Sequence, residues 1–304
     1  MSINIVIEKL KNLINNPRGK VQLYFTQKKQ SGKYISYKSN TSLELKSELL
    51  KIAISALEWE KDKPVVEFNP TGSLAETIEE SDCDSVESFK DIESSLEEEN
   101  LLDEPPADLA KFSFYCLEVK LENNEKILLF RRLTKFKKLQ EGIIGQFVSG
   151  EFKKVSSDLI GIDSQVDIIA YDSKLIITNH IALERIFNIK TQYQESAKRT
   201  LSMIKEENRI ENFDQFETDS INDGRIIKGL TKLLKDPDKV RKCFENFSKV
   251  KELVSEVGLN ISFTSDGEKL VYNGKEQLQD ITLIIRDAYY QAYISERLGI
   301  DELA

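Results

Sequence analysis

The spacing of apolar residues changes along the chain, and each change predicts a different kind of element. Residues 21–26 are rich in β-branched and aromatic side chains, which favours a strand. From Leu45 to Leu57 the apolar residues recur every three or four positions, and Thr41 with Glu44 forms a capping-box pattern just before them. A long helix with one buried face is therefore predicted, and residues 1–75 are interpreted as a small α/β unit.

Short strand-like runs dominate the middle of the chain. The runs at 112–122 and 126–132 are separated by Asn123-Asn124-Glu125, which predicts a hairpin. Further strands are predicted at 146–152, 166–171 and 175–178. So many strands in one stretch indicate a single, mainly antiparallel sheet.

Helical periodicity returns after this sheet. Asn179 is the expected N-cap of a helix that runs to Phe187. Residues 219–258 are predicted to form two helices that meet at Asp236-Pro237, and Gly258 is expected to end the second one.

The last part of the chain completes the predicted fold. A small hairpin is expected about Asp266-Gly267, followed by a closing helix over residues 281–298 that carries three tyrosines, Tyr289, Tyr290 and Tyr293. The fold class is predicted to be α+β, with an N-terminal α/β unit, a central mainly antiparallel sheet and a helical C-terminal part. The predicted domains are 1–75, an acidic linker over 76–110, and an α+β domain over 111–304.

Negative charge is concentrated in one segment. Residues 76–108 contain fourteen Asp and Glu against the single Lys90, which gives a charge of −13; since the whole chain has −9, the remaining residues carry +4. Such a run is typical of a solvated connector between domains. The alternative is an acidic mimic of nucleic acid that shields a basic surface or docks a partner.

Positive charge is concentrated at two places against this acidic background. Residues 128–147 begin with an apolar run and then carry five cations, three of which would share one side if 132–140 is helical. The four cations of the second set recur at spacings of three, four and three, which places them on one side of a helix. The two sets are Arg131, Arg132, Lys135, Lys137 and Lys138, and Arg225, Lys228, Lys232 and Lys235.

Rows of long, flexible cations favour salt-sensitive and sequence-independent contacts with DNA phosphates. The alternative for either set is a solvated surface row without a ligand. Both interpretations stay open for each set at this point; in the first of them, both sets would grip DNA phosphates with the acidic segment as a restraint.

Several other classes of protein have no support in the sequence. Cys83, Cys116 and Cys243 are far apart and form no CxxC pair, so neither a disulfide framework nor a cysteine zinc site is indicated. His180 is the single histidine, and a surface or capping role is predicted for it. The sequence has no phosphate-binding GxxxxGK[ST] loop and no GxSxG motif. No catalytic residue, metal ligand or cofactor is therefore predicted.

The length and polarity of the apolar runs bear on location. None approaches the roughly 20 residues of a membrane span, and the amino-terminal stretch is too polar for a secretory signal. A cytoplasmic location is expected.

One enzymatic alternative has coherent chemistry. Asp108, Glu118 and Lys120 fit the loose PD…(D/E)xK spacing of restriction-type nucleases. In such a site the two carboxylates would bind Mg²⁺ and the lysine would lie near the scissile phosphate. An exposed strand face with alternating charges produces the same spacing by chance.

The order of predicted elements also resembles a known family. The stretch LLFRRLTKFKKL, the residues 162–189 and the helical tail after them are similar to KwaB of the bacterial Kiwa anti-phage system, with matching residues at Asp163, Asp167, Asn179, Glu184 and Phe187. The resemblance covers roughly residues 112–298. It implies a cytosolic defence protein that binds double-stranded DNA, self-associates as a homo-oligomer such as a dimer, and works with the membrane protein KwaA, which would recruit it to the inner membrane face.

Three hypotheses therefore remain open at the level of sequence. The first is a non-catalytic DNA-binding effector of anti-phage defence, the second a scaffold whose acidic segment and tyrosine-bearing last helix hold partner subunits, and the third the Mg²⁺-dependent nuclease.

Overall fold

The computed structural model describes residues 3–15, 17–122, 125–133, 145–149, 151–154 and 160–301. Contacts within the chain divide it into two units. The first unit consists of Met1–Glu67 with Ala75–Ile189, and the second of Phe68–Leu74 with Lys190–Ala304.

The first unit contains the large sheet and the helices that cover it. Its helices are α1 (Ile3–Lys11), α2 (Leu43–Glu60), α3 (Ser88–Ser95) and α4 (His180–Ile186). Its strands are β1 (Val21–Lys28), β2 (Tyr34–Ser39), β3 (Val65–Glu67), β4 (Ile78–Asp82), β5 (Leu101–Leu102), β6 (Phe114–Lys120), β7 (Lys126–Arg132), β8 (Gly145–Val148), β9 (Glu151–Lys154), β10 (Ile168–Tyr171) and β11 (Lys174–Ile177).

Nine of these strands form one sheet in the order β3-β4-β11-β10-β7-β6-β1-β2-β5. All its neighbouring strands are antiparallel except the outermost pairs, β3 with β4 and β2 with β5, which are parallel. The predicted hairpin over 112–132 is confirmed as β6 and β7. The predicted strand over 146–152 is instead a separate hairpin of β8 and β9.

The two faces of the sheet are covered by different helices. Alternate residues of a strand point to opposite faces, and Leu23, Leu117 and Leu129 lie in one buried cluster with residues of α1 and α2 such as Val6 and Leu50. On the other face, Phe130 of β7 packs against Phe114 of β6 and against Phe187 just after α4, and Phe187 in turn packs against Phe89 of α3. The sheet is thus the middle layer of three.

Polar side chains cap the first turns of α2 and α4. The Ser42 hydroxyl accepts a hydrogen bond from Leu45 N at 3.2 Å, so the cap of α2 is one residue later than the expected Thr41. The Asn179 side chain accepts from Ala182 N at 3.1 Å, which confirms the predicted cap of α4.

The acidic segment is built into this sheet. β4 pairs with β11 near one edge, and β5 forms the other edge. The apolar side chains of α3 and of the residues beside it are buried: Val86, Phe89, Ile92 and Leu96. This arrangement differs from the expected solvated connector because these four side chains need a core to bury them. The domain boundaries at 75 and 110 themselves stay a prediction.

The second unit is mainly helical. Its helices are α5 (Ile189–Glu207, which begins at the last residue of the first unit), α6 (Phe213–Asn222), α7 (Gly224–Leu233), α8 (Asp238–Glu245), α9 (Phe247–Val257) and α10 (Leu278–Ile285). Its strands are β12 (Ile210–Glu211), β13 (Ser262–Phe263), β14 (Leu270–Val271), β15 (Tyr289–Gln291) and β16 (Leu298–Ile300). β13 and β14 are antiparallel, which confirms the hairpin predicted about Asp266-Gly267.

Two helix predictions in this unit are corrected by the structure. The helix predicted from Pro237 to Gly258 is interrupted at Asn246, whose φ of −97° and ψ of 39° are not helical. The closing helix predicted over 281–298 ends at Ile285. Asp287 then has a left-handed φ of 55°, and the tyrosine-rich stretch after it continues as the antiparallel pair β15 and β16, in keeping with the preference of aromatic residues for strands.

The observed elements establish an α+β fold. Its large sheet is mainly antiparallel and its C-terminal part is helical, as predicted. Among the described residues, no helix combines the length and the apolarity that crossing a bilayer requires.

Candidate nucleic-acid interface

The second basic set lies on α7, on the side away from its buried face. Arg225 is exposed, and Lys228 and Lys232 are partly exposed. The apolar side chains on the opposite side of the helix, Ile226, Leu230 and Leu233, are buried. Lys235 lies two residues after the end of the helix at Leu233, and its ammonium lies 3.4 Å from the carbonyl oxygen of Phe68.

Backbone and side-chain hydrogen bonds fix α7 within the second unit. The Asp223 carboxylate caps the helix by accepting from Arg225 N at 2.8 Å and from Ile226 N at 3.1 Å. The Thr200 hydroxyl donates to the Leu230 carbonyl at 2.8 Å, and the Thr231 hydroxyl donates to the Tyr193 carbonyl at 3.1 Å. The basic row is therefore mounted on a helix that is tied to α5 as well as packed against the core.

Arg131, in the first basic set, has a different environment. It lies in β7 and only 8% of it is exposed. Its Nε donates to Asp163 Oδ1 at 2.9 Å and its Nη1 to Asp167 Oδ1 at 2.6 Å, while Nη2 donates to the other oxygen of Asp163. Burial lowers the pKa of Arg131, but the hydrogen bonds and charges of the two carboxylates outweigh burial and raise the pKa above its ordinary value.

This pairing differs from the expectation of a solvent-facing cation at Arg131. Three of the five N–H donors of the guanidinium are directed at carboxylates inside the first unit. Asp167 is only 1% exposed, and it also accepts from Arg132 N at 2.7 Å and from the Asn179 side chain at 3.0 Å. Asp167 therefore joins the end of β7 to the start of α4.

Of the rest of the first basic set, the structure describes Arg132 alone. Arg132 is the last residue of β7 and is partly exposed. The helix predicted from Arg132 onward does not begin there, because Arg132 pairs with Phe114 in the sheet. Lys135, Lys137 and Lys138, and the rest of that predicted helix, lie outside the described residues.

The three residues of the nuclease hypothesis lie on two elements. Asp108 is exposed and accepts from Ala110 N at 2.9 Å at the start of a short 3₁₀ turn. Glu118 lies within β6, 8% exposed, where it accepts from the Tyr24 hydroxyl at 3.2 Å and lies 3.7 Å from Lys120 Nζ. In the part of the chain that the structure describes, no three His, Cys, Asp or Glu side chains are grouped so that they could hold a metal ion.

Comparison with protein families identifies the chain. A family model described as Kiwa protein KwaB-like matches residues 109–295, which is more than half of the 304 residues. The chain belongs to this family. Membership confirms the resemblance to KwaB and implies a role in Kiwa anti-phage defence, a system of several components. Comparisons with curated proteins and with solved structures gave no match.

The KwaB-like residues singled out in the sequence lie in one part of the first unit. Asp163 and Asp167 contact Arg131, and Asn179 contacts Asp167. Phe187 packs against Phe130, with ring centroids 5.7 Å apart.

Glu184 belongs to an acidic and basic cluster that the sequence did not predict. His180 Nδ1 lies 2.8 Å from Glu79 Oε2, and its other ring nitrogen lies 3.6 Å from Glu184 Oε1. Burial lowers the pKa of His180, but the hydrogen bonds and charges of Glu184 and Glu79 raise it to about 9. The imidazole is therefore protonated at neutral pH and ties α4 to β4, in addition to lying at the start of a helix as expected.

Two further basic residues that the sequence pattern did not predict lie beside α7. Lys239 of α8 and Arg286 at the end of α10 act electrostatically on Lys232. Neither belongs to the row of helical spacing that identified the other cations, so no local pattern in the sequence marks them.

Proposed function

We propose that this KwaB-like protein is a non-catalytic effector of Kiwa defence that binds duplex DNA through phosphate contacts. The proposal is carried by the basic row of Arg225, Lys228 and Lys232 on α7 and Lys235 shortly after it. A buried apolar face supports this row, and hydrogen bonds fix the helix. Cations on a rigid support lose less freedom when they bind than cations on a mobile chain.

The length of the row suits a nucleic-acid backbone. At a rise of about 1.5 Å per residue, the ten steps from Arg225 to Lys235 extend over roughly 15 Å. One strand of DNA advances about 3.4 Å per phosphate along its axis, so the row spans roughly four phosphates. Contacts of this kind give affinity without sequence preference.

In this proposal the residues of the first basic set have two different roles. Arg132, Lys135, Lys137 and Lys138 supply further phosphate contacts. Arg131 holds the end of β7, from which this segment leaves, through its ion pairs with Asp163 and Asp167.

The partners proposed are double-stranded DNA, a second copy of the chain in a dimer, and the membrane protein KwaA. In this proposal the protein is cytoplasmic and is recruited to the inner membrane face by KwaA. Family membership supports a system with more than one component. Co-purification of tagged KwaA with this protein, before and after nuclease treatment, tests whether the two meet directly or through DNA.

The test of DNA binding replaces all four cations of the α7 row by Gln and measures duplex affinity over a series of salt concentrations. Each phosphate contact contributes a slope of about −0.9 to the dependence of log K on log salt, so losing four contacts should flatten the slope by roughly 3 to 4. The reason is that fewer counterions are released on binding.

A matched control removes the same charge elsewhere in the second unit. Lys198, Arg199, Lys242 and Lys249 are exposed, and their change to Gln gives the same net charge as the test variant. If the control and the α7 variant lose affinity and slope equally, only the net charge matters and the α7 row is not the binding surface. Circular dichroism of both variants verifies that the helices are retained.

A further inference from the structure

The hairpin of β15 and β16 exposes large apolar side chains to solvent. Tyr293 and Ile294, at its turn, are almost fully exposed, and Tyr290 of β15 is about half exposed. Leu298 and Ile300 of β16 are also nearly half exposed. Soluble monomers rarely keep so many large apolar side chains together in water, and such patches typically mark interaction sites.

The outer edge of β16 has backbone groups without a partner strand. Among the strands that the structure describes, β16 pairs with β15 alone. Asp301 N donates to the Ala288 carbonyl oxygen at 2.8 Å. Because bonded and non-bonded pairs alternate along an antiparallel ladder, the N–H and C=O groups of Leu298 and Ile300 point away from β15. These groups form no hydrogen bond with any other described residue.

Nothing in β16 protects this edge against pairing with another strand. Natural edge strands often carry lysine, proline or a β-bulge, which prevent unwanted pairing. β16 has the sequence Leu-Gly-Ile and an unbroken register with β15. A hairpin of two strands is also marginally stable by itself, so a further strand on the edge of β16 would stabilise it.

We infer that β16 is a self-association surface, on which a second copy of the chain places its own β16 antiparallel. A two-fold axis at Gly299 puts Leu298 of each copy opposite Ile300 of the other. The outward backbone groups of these residues then form four hydrogen bonds between the copies, and the two hairpins become one sheet of four strands. The inference rests on the dimer of the proposed function and names the surface that joins its two copies.

The hairpin is complementary to itself in this arrangement. The ring of Tyr290 lies over Gly299, since a Cβ at Gly299 would be only 2.6 Å from Tyr290 Cζ. The two glycines meet at the axis, so the two rings lie on either side of the join. The turn of each hairpin comes beside the base of the other, where Tyr293 and Ile294 can be covered. A strand from an unrelated protein would use the backbone edge without this match.

The exposed area also suits a dimer. At about 200 Å² for a whole tyrosine side chain, Tyr293 and Tyr290 together expose on the order of 300 Å². With the three aliphatic side chains and the edge of β16, the hairpin approaches the roughly 800 Å² per partner of a stable interface.

The first test measures the mass of the full chain by sedimentation over a series of concentrations. The wild type should be a dimer. The double variant Leu298→Lys with Ile300→Lys places like charges opposite each other and removes four apolar side chains from the interface, so the dimer Kd should rise by roughly 100-fold or more. The control Ile5→Lys with Leu43→Lys adds the same charge at apolar positions that are about half exposed in the first unit, and should keep the wild-type Kd.

Cysteine cross-linking tests the register and does not depend on the lysine variant. Leu298→Cys and Ile300→Cys are prepared as separate chains and mixed. Their Cα atoms should be about 5.5 Å apart across the axis, within the span of a disulfide, whereas two copies of one position would be about 7–8 Å apart. The mixture should therefore cross-link well and each variant alone poorly, with the wild type, which has Cys83, Cys116 and Cys243, as the background.

Three results would overturn the inference. They are a wild type that stays monomeric at every concentration, a lysine variant that dimerises as strongly as its control, and a cysteine mixture that cross-links no better than the single variants. A hairpin that binds KwaA while the wild type alone is monomeric would mean another occupant and would also overturn it. The α7 variants decide DNA binding separately, since a loss of DNA affinity in an intact dimer leaves this surface standing.

Discussion

Replacing Arg131 by Met should destabilise the first unit strongly. The change keeps an apolar side chain of similar length but removes the guanidinium that neutralises Asp167, which is 1% exposed. Removing one partner of a buried ion pair typically costs about 3–5 kcal/mol. Asp167 retains the Arg132 amide at 2.7 Å and the Asn179 side chain at 3.0 Å, so we expect the lower end of this range, about 3 kcal/mol.

The expected loss is large enough for equilibrium unfolding in urea. With an m value of about 2 kcal/mol/M, a loss of about 3 kcal/mol lowers the midpoint by roughly 1.5 M. Hydrogen exchange should place the effect in the peptides around 126–133 and 166–178, because Asp167 N donates to the Phe130 carbonyl and Thr178 N to that of Asp167. Duplex DNA affinity of the variant, measured well below the unfolding midpoint, should change little.

Two controls separate the buried pair from its neighbours. Arg132→Met removes a cation at the next position without breaking this pair, and should cost under about 1 kcal/mol. Asp163→Asn removes the partner whose side chain is 48% exposed, and a pair so open to solvent is worth at most about 1 kcal/mol. The reasoning is refuted if Arg131→Met costs no more than Arg132→Met, and a loss of DNA affinity without a loss of stability would make Arg131 a DNA contact after all.

Two further predictions concern the same side of the first unit. The pKa of folded His180 is raised to about 9 from an ordinary value of 6.5, so its contribution to the free energy of unfolding should be complete below pH 6.5 and should be lost as pH rises to 9, by roughly 2–3 kcal/mol. The free energy of unfolding, measured at a series of pH values, should fall over this range in the wild type and stay flat in His180→Asn. Identical slopes for the two proteins would contradict the prediction. Phe187→Ala should lower the free energy of unfolding by about 3–5 kcal/mol because the ring is fully buried against Phe130 and Phe89, and Phe187→Leu should lower it far less. Equal urea midpoints for the two variants would mean that the ring packing contributes little.

The sequence predicted correctly those features of the fold that are determined by residues close together along the chain. The hairpin of β6 and β7, the Asn179 cap and the burial of Val86, Phe89, Ile92 and Leu96 all follow from residues a few positions apart. The pairing of β1 with β6 could not be predicted, because it joins residues roughly ninety positions apart and both strands have the same apolar character. Periodicity also failed near residue 286, where a helix pattern continued past the point at which Asp287 turns the chain.

Charge was harder to predict than secondary structure, because a sequence shows which charges are near along the chain and not which meet in space. The acidic segment contains the partners of lysines far from it. Lys126 contacts Glu93 at 2.7 Å, Lys174 contacts Asp82 at 2.8 Å, and Lys38 contacts Glu98. Part of the local excess of −13 is therefore paired within the first unit itself, and the segment does not act as a free polyanion.

Arg131 and Arg286 are two buried arginines whose surroundings shift the pKa in opposite directions. Both are less than a tenth exposed, so burial disfavours the charge of each. Around Arg131 two carboxylates outweigh burial and raise its pKa, whereas burial lowers the pKa of Arg286 although the charge of Asp301 opposes it. No pattern near either arginine in the sequence shows this difference, because the carboxylates that act on them lie in other parts of the fold.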